Sequence, residues 1–314
     1  MATSGRPTWY KPDVGLSMRM ALTMFLLGLV YVVFGFILYQ VGMPLGFLIV
    51  IAGAIAFTQF FFADKIALLA MRAREVSEAE APQLHEMIGR LAAQSNLPKP
   101  KIAIVDTSLP NAFATGRSKN HAVVAVTTGI LNRLSAQELE AVLAHELTHI
   151  INRDMLVMTI AAFFSMVAGL LARNFFWFGG GFGYGRRRND NEGGAIIIAL
   201  LASIAVYAIS FVLIRTLSRY RELAADRGSA LITGAPANLA SALLRISDVN
   251  QRIPQRDARE AASLMSPVSA LCFVPANALR GEDVMTLFST HPSTEERVRR
   301  LQAMQAQMEQ SQRF

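Results

Sequence analysis

One cysteine, Cys272, is all that the 314 residues contain. A lone thiol excludes an internal disulfide framework and a zinc site built on cysteines, and Cys272 reads as a small packed residue. Charge is also scarce. Asp, Glu, Lys and Arg supply 17% of the chain against 53% hydrophobic residues, a balance that is low in charge for a soluble domain. Histidine is rarer still, with five in all. No internal repeat is visible.

Long hydrophobic runs, by contrast, are plentiful. Residues 20–39 and 44–62 carry no charge and are long enough to span a bilayer. Residues 155–171 form a shorter apolar run, and 195–214 another uncharged one. The expected fold is mainly α with a small β-sheet: a four-span helical membrane protein with a domain outside the bilayer. For the last two runs the alternative is a protein-embedded bundle. The first run is too long for a signal peptide and a second apolar arm follows at once, so it reads as an uncleaved anchor. The net charge of +7 gathers beside the runs, at Arg6, Lys11 and Arg19, at Lys65, Arg72 and Arg74, and at Arg215, Arg219 and Arg221. By the positive-inside rule the N-terminus and soluble part face the cytoplasm. The partner of this basic charge is then the lipid bilayer, and no nucleic acid is needed to explain it. Arg186-Arg187-Arg188 opposes this topology, unless the last two runs do not fully cross.

The chemistry concentrates in His145-Glu146-Leu147-Thr148-His149. Two imidazoles four residues apart sit one above the other on a helix and can share one zinc ion. Glu146 between them is placed to act as general base. Ser135-Ala136-Gln137-Glu138 is a capping box that starts this helix at Ala136, and Leu139, Val142 and Leu143 make its early turns a core face. A catalytic zinc ion takes three protein ligands. The candidate third is Glu222, with Asp226 one turn on, where it would accept the free N–H of His145 or His149. The expectation is one Zn²⁺ per chain.

Around these motifs, Pro82 opens an amphipathic helix with Leu84, Met87, Ile88, Leu91 and Ala92 on its apolar side. Strands are expected at Lys101–Val105, 111–115 and 121–126. His85 reads as a surface residue and His121 as structural, at a strand start. Residues 63–74 read as a helix leading out of the membrane, 175–194 as a flexible Gly/aromatic/Arg loop, and 250–286 as a mobile flap. Ser293-Thr294-Glu295-Glu296 is a second capping box, opening a helix with Val298, Leu301, Met304 and Met308 on one face. The expected organisation is 1–63, tail and hairpin; 64–154, catalytic part; 155–214, second hydrophobic hairpin; 215–314, third-ligand helix and C-terminal catalytic part.

H-E-x-x-H followed by E-x-x-x-D, with hydrophobic spans before and between, resembles the HtpX membrane metalloprotease family. These are bacterial heat-shock proteases related to the CAAX-prenyl endopeptidases. The likeness covers nearly the whole chain. Pro110-Asn111-Ala112-Phe113-Ala114-Thr115-Gly116 resembles the family's edge-strand segment, and Thr290-His291-Pro292 its late histidine motif. The resemblance implies a gluzincin-type domain facing the cytoplasm, and quality control of misfolded or damaged membrane proteins under stress. It also implies that Asn111 contacts the substrate backbone, that His291 stabilises the oxyanion, and that Arg297 braces His291. Self-association is left open. The alternatives are a narrow processing protease, such as a prenyl-protein endopeptidase, and a non-catalytic zinc-containing membrane scaffold.

Overall fold

A computed structural model describes residues 13–40, 71–158, 190–252 and 292–311, with scattered positions between 46 and 69 and residues 161 and 168. In chain order its elements are α1 (Val14–Gln40), β1 (Arg74–Glu75), α2 (Pro82–Gln94), β2 (Lys101–Val105), β3 (Ala112–Gly116), β4 (Ala122–Thr127), α3 (Thr128–Leu131), α4 (Ala136–Ile151), α5 (Asp190–Thr233), α6 (Pro236–Arg252) and α7 (Thr294–Ser311). The chain divides into two compact units. One comprises Met1–Leu16, Phe61–Leu156 and Arg219–Phe314, the other Ser17–Phe60 and Val157–Ser218.

The first unit is built on a four-stranded mixed sheet of order β1-β2-β4-β3. β4 runs parallel to β2 and antiparallel to β3. All six β4 residues are buried, as expected of a β-branched run covered on both faces. β3 is therefore an edge strand among the described residues. On one face of the sheet, Ile102, Val124 and Val126 pack with Ile88 and Leu91 of α2, Leu143 and Leu147 of α4, and Leu301 of α7. Each fully buried leucine contributes about 1.5–3 kcal/mol. A smaller cluster, Ala103, Val123 and Ala125, covers the other face with Phe113.

Local signals set the element ends. Pro82 occupies the first turn of α2, where its missing N–H costs nothing. At α4 both halves of the capping box form: Glu138 N–H donates to Ser135 Oγ at 3.3 Å, and Ser135 N–H to Glu138 Oε2 at 2.8 Å. Glu296 N–H donates to Ser293 Oγ at 3.2 Å before α7. α5 is locked to α4 where Ser229 Oγ donates to the Ala141 carbonyl at 2.7 Å. Beside this bond a Cβ on Gly228 would collide with the Thr148 side chain, so glycine is what lets the two helices approach there.

In the second unit, α1 buries Leu27, Phe34 and Leu38 and exposes Phe25, Val32 and Phe36. A helix apolar on every side suits lipid contact on one face and protein on the other. Tyr31 Oη donates to the Ala161 carbonyl at 2.6 Å. α1 and the Ile197–Thr233 part of α5 are the two described helices long and apolar enough to cross a membrane.

Four expectations change. Residues 63–74 are not one helix: the chain turns at Met71–Arg72, with Arg72 at φ 50°, and Arg74–Glu75 pairs antiparallel with β2. His121 does not start a strand. It ends a 3₁₀ turn, Lys119–His121, with Nδ1 3.0 Å from Ser118 Oγ. α5 begins at Asp190 and so takes in the end of the loop expected at 175–194, while residues 250–252 belong to α6. The rest of that loop, most of the runs 44–62 and 155–171, the flap 253–286, Cys272 and His291 lie outside the described residues.

Candidate active site

α4 enters the core with its early turns and presents His145, Glu146 and His149 from its later ones. The two imidazoles meet edge to face, with Nε2 atoms 3.2 Å apart. α5 brings Glu222 across them: Oε2 lies 3.6 Å from His145 Nε2 and Oε1 3.5 Å from His149 Nε2. One donor atom from each of the three lies within 4.8 Å of the others. Two Zn–N bonds of roughly 2.0–2.1 Å at a tetrahedral angle separate the nitrogens by about 3.3 Å. The donor set and its spacing therefore fit a metal ion.

Each histidine has a carboxylate behind it. Asp226 Oδ1 lies 3.0 Å from His145 Nδ1, at ion-pair distance but off the line of a straight N–H···O bond. Arg297 forks onto Asp226, with Nε 2.9 Å from Oδ2 and Nη2 2.7 Å from Oδ1, and its Nη1 stands 3.7 Å from Glu222. His149 Nδ1–H donates to Asp154 Oδ2 at 2.6 Å, and Arg221 Nη2 lies 2.8 Å from the same oxygen. Of the two histidines, then, Asp226 faces His145. Among the described residues, Arg297 braces Asp226 and Glu222.

The electrostatics follow from burial and these partners. Burial alone would lower the His145 pKa, but the Asp226 and Glu222 carboxylates outweigh it and raise it to about 10. Burial drives the Glu146 carboxyl upward. His149 and His145 oppose that, Glu222 adds to it, and a hydrogen bond from the Ala114 backbone again opposes it, leaving the pKa raised. Burial also pushes Asp154 up, but His149 and Arg221 overcome it and hold that carboxyl below its usual range. Arg297 is raised, the Asp226 charge outweighing its burial, so it stays charged.

Sequence reasoning did not reach Asp154, Arg221 or the Ala114 contact. The only signal for Asp154 was a carboxylate shortly after the second histidine. Its return to that histidine depends on Arg153, which turns the chain in the left-handed region at φ 55° just past α4. Asn111 stands at the entry to β3, where its N–H donates to Thr127 Oγ1 at 2.9 Å and its carbonyl accepts from Thr127 N–H at 3.0 Å. Neither bond assigns its side chain a role.

The sequence model of peptidase family M48 matches residues 78–305. A protein named Protease HtpX homolog from Moorella thermoacetica is 51% identical over 298 residues, covering 95% of this chain and 97% of that protein. Protease HtpX homolog 2 from Methanosarcina acetivorans is 52% identical over 299 residues, with 95% and 98% covered. Among solved structures, the crystal structure of S. mikatae Ste24p aligns with a TM-score of 0.55 at 18% identity, over 92% of this chain and 67% of that one. At that identity the likeness concerns the fold.

Proposed function

The chain belongs to peptidase family M48 and is a membrane-associated metalloprotease, and from that premise we propose a zinc endopeptidase acting on misfolded or damaged membrane proteins. The observation that carries the reading is the Glu222 carboxylate set across both Nε2 atoms, with the buried Glu146 beside them. Imidazole and carboxylate donors suit zinc, and His145, His149 and Glu222 would hold one ion per chain in a gluzincin-type arrangement. Bound zinc supplies a Lewis acid for the scissile carbonyl and lowers the pKa of water.

The side chains do the rest. Glu146 Oε takes the proton of the attacking water and returns it to the departing amine. A carboxyl raised by burial is suited to hold that proton between the two steps. His291, assigned by its motif, bears part of the charge developing on the carbonyl oxygen. Asn111 and the edge of β3, which pairs with no further strand among the described residues, receive an extended substrate backbone, a role supported by the contact between β3 and Glu146 through Ala114.

In this proposal four hydrophobic segments anchor the chain, with 1–63 and 155–214 as membrane parts and 64–154 and 215–314 as catalytic parts, and the site faces the cytoplasmic side of the cell inner membrane, an orientation supported by the basic residues beside the runs. Neither a narrow prenyl-protein endopeptidase nor a zinc scaffold is favoured beside relatives named HtpX homologs along their whole length. The test is Glu146→Gln in the full chain. It keeps about one zinc per chain and loses cleavage of an unfolded membrane protein by at least about 100-fold. Cleavage at the wild-type rate would remove Glu146 from its role.

A further inference from the structure

We infer that Asp154 and Arg221 form a positioning relay for His149, and that this relay sets the metal affinity of the site. The inference rests on the zinc-site reading above. A carboxylate 2.6 Å from His149 Nδ1 fixes the ring proton on that nitrogen and turns the lone pair of Nε2 toward His145 and Glu222. The contact exists because Arg153 adopts φ 55°, a left-handed conformation that is costly for a non-glycine residue. The backbone accepts this cost where it carries Asp154 back under the histidine.

Arg221 approaches the same carboxylate oxygen from α5. Its side chain is 7% exposed, yet Nε and Nη1 carry no hydrogen bond among the described residues. A guanidinium placed for stability alone would be expected to satisfy those donors, since an unbonded buried donor is destabilising. What Arg221 does hold is the oxygen that aims His149. Arg221 also directly precedes Glu222, so one turn of α5 delivers both the third metal ligand and the brace of the second. A displacement of that turn would loosen two of the three ligands together. His145 has its own pair in Asp226 and Arg297.

The experiment uses full-length protein in detergent, titrated with Zn²⁺ against a competing chelator, and the absorption spectrum of the Co²⁺-substituted site. Asp154→Asn is expected to weaken zinc binding by about 10–100-fold and to shift the cobalt bands. Arg221→Gln weakens it in the same direction. Arg221→Lys, which keeps a donor and the charge, stays within about 3-fold of wild type, because a single nitrogen makes the contact. Asp154→Asn/Arg221→Gln is no weaker than Asp154→Asn alone. Zinc held by both single variants as tightly as by wild type, or losses that simply add in the double variant, would overturn the relay while leaving the zinc site intact. A wild-type protein that binds no zinc, like a His149→Ala control, would instead overturn the reading beneath it.

Discussion

Glu146, Asp154, Glu222 and Asp226 are four carboxylates, all buried, and the guanidiniums buried with them are Arg221 and Arg297. With the imidazoles neutral, as metal ligation requires, and all four carboxylates ionised, the excess is two negative charges, which a divalent cation matches. Buried charge of this kind persists only where it is paired. Arg297 is the clearest case, because its fork satisfies both oxygens of Asp226 at 2.9 and 2.7 Å. Arg297→Gln strands that carboxylate and should cost about 3–5 kcal/mol of stability, read by denaturant unfolding of the purified protein. Asp226→Asn/Arg297→Gln, which removes both charges, should recover part of the loss. A single-variant cost below about 1 kcal/mol, the range of exposed pairs, would show that Arg297 does not neutralise the site.

At the scale of elements, α4 is specified twice, by its cap and by its packing. Glu138 is 5% exposed and serves both. It completes the capping box, accepts from Ser241 Oγ at 2.6 Å, and stands 3.4 Å from Arg245 of α6. Burial alone would raise its pKa, but Ser241, Ser135 and Arg245 together lower it below 4.5. A carboxylate depressed in the folded state stabilises fully above its unfolded pKa and loses that contribution as the pH falls through the folded one. The stability gap between wild type and Glu138→Gln should therefore be widest near neutral pH and narrow below about pH 4.5, measured by urea unfolding across pH. A gap constant with pH would deny Glu138 the part its partners give it. The close approach of α5 makes a second test: Gly228→Ala forces a Cβ onto Thr148, and overpacking there should cost about 1–3 kcal/mol and weaken zinc retention. This is also where legibility divides. The α4 cap, the start of α2 at Pro82 and the β4 run were readable because each is set by residues adjacent in sequence. The seat of Asp154 was not, since it depends on one left-handed residue that no periodicity reports. The turn at Arg72, which ended the helix expected over 63–74, is the same kind of signal. Gly228 reads as a poor helix former until the neighbouring helix is known.

For the whole molecule, the candidate metal centre draws its ligands from two distant stretches of chain, since His145 and His149 precede the third hydrophobic run and Glu222 follows the fourth. In sequence the need for a third ligand, met by Glu222 with Asp226 one turn on, brought them together, and the likeness of the motifs to a known family added to it. In the structure the same meeting is built by α4 and α5, through Ser229, Gly228 and the shared core. A ligand bound only by the folded chain stabilises it by mass action, and at free metal about 100-fold above its dissociation constant the gain is about 2.7 kcal/mol. Stripping the metal with a chelator should therefore lower the thermal midpoint of the detergent-solubilised protein by on the order of 5 °C, and one equivalent of Zn²⁺ should restore it. His145→Ala/His149→Ala should already sit at the lower midpoint and ignore the chelator. Glu146→Gln should respond as wild type does, because it removes the base and leaves the ligands. If the chelator left the wild-type midpoint where it was while zinc departed, the metal would be held by side chains already fixed without it. Folding energy and metal affinity would then be separate properties, and the α4–α5 packing alone would account for the arrangement of the site.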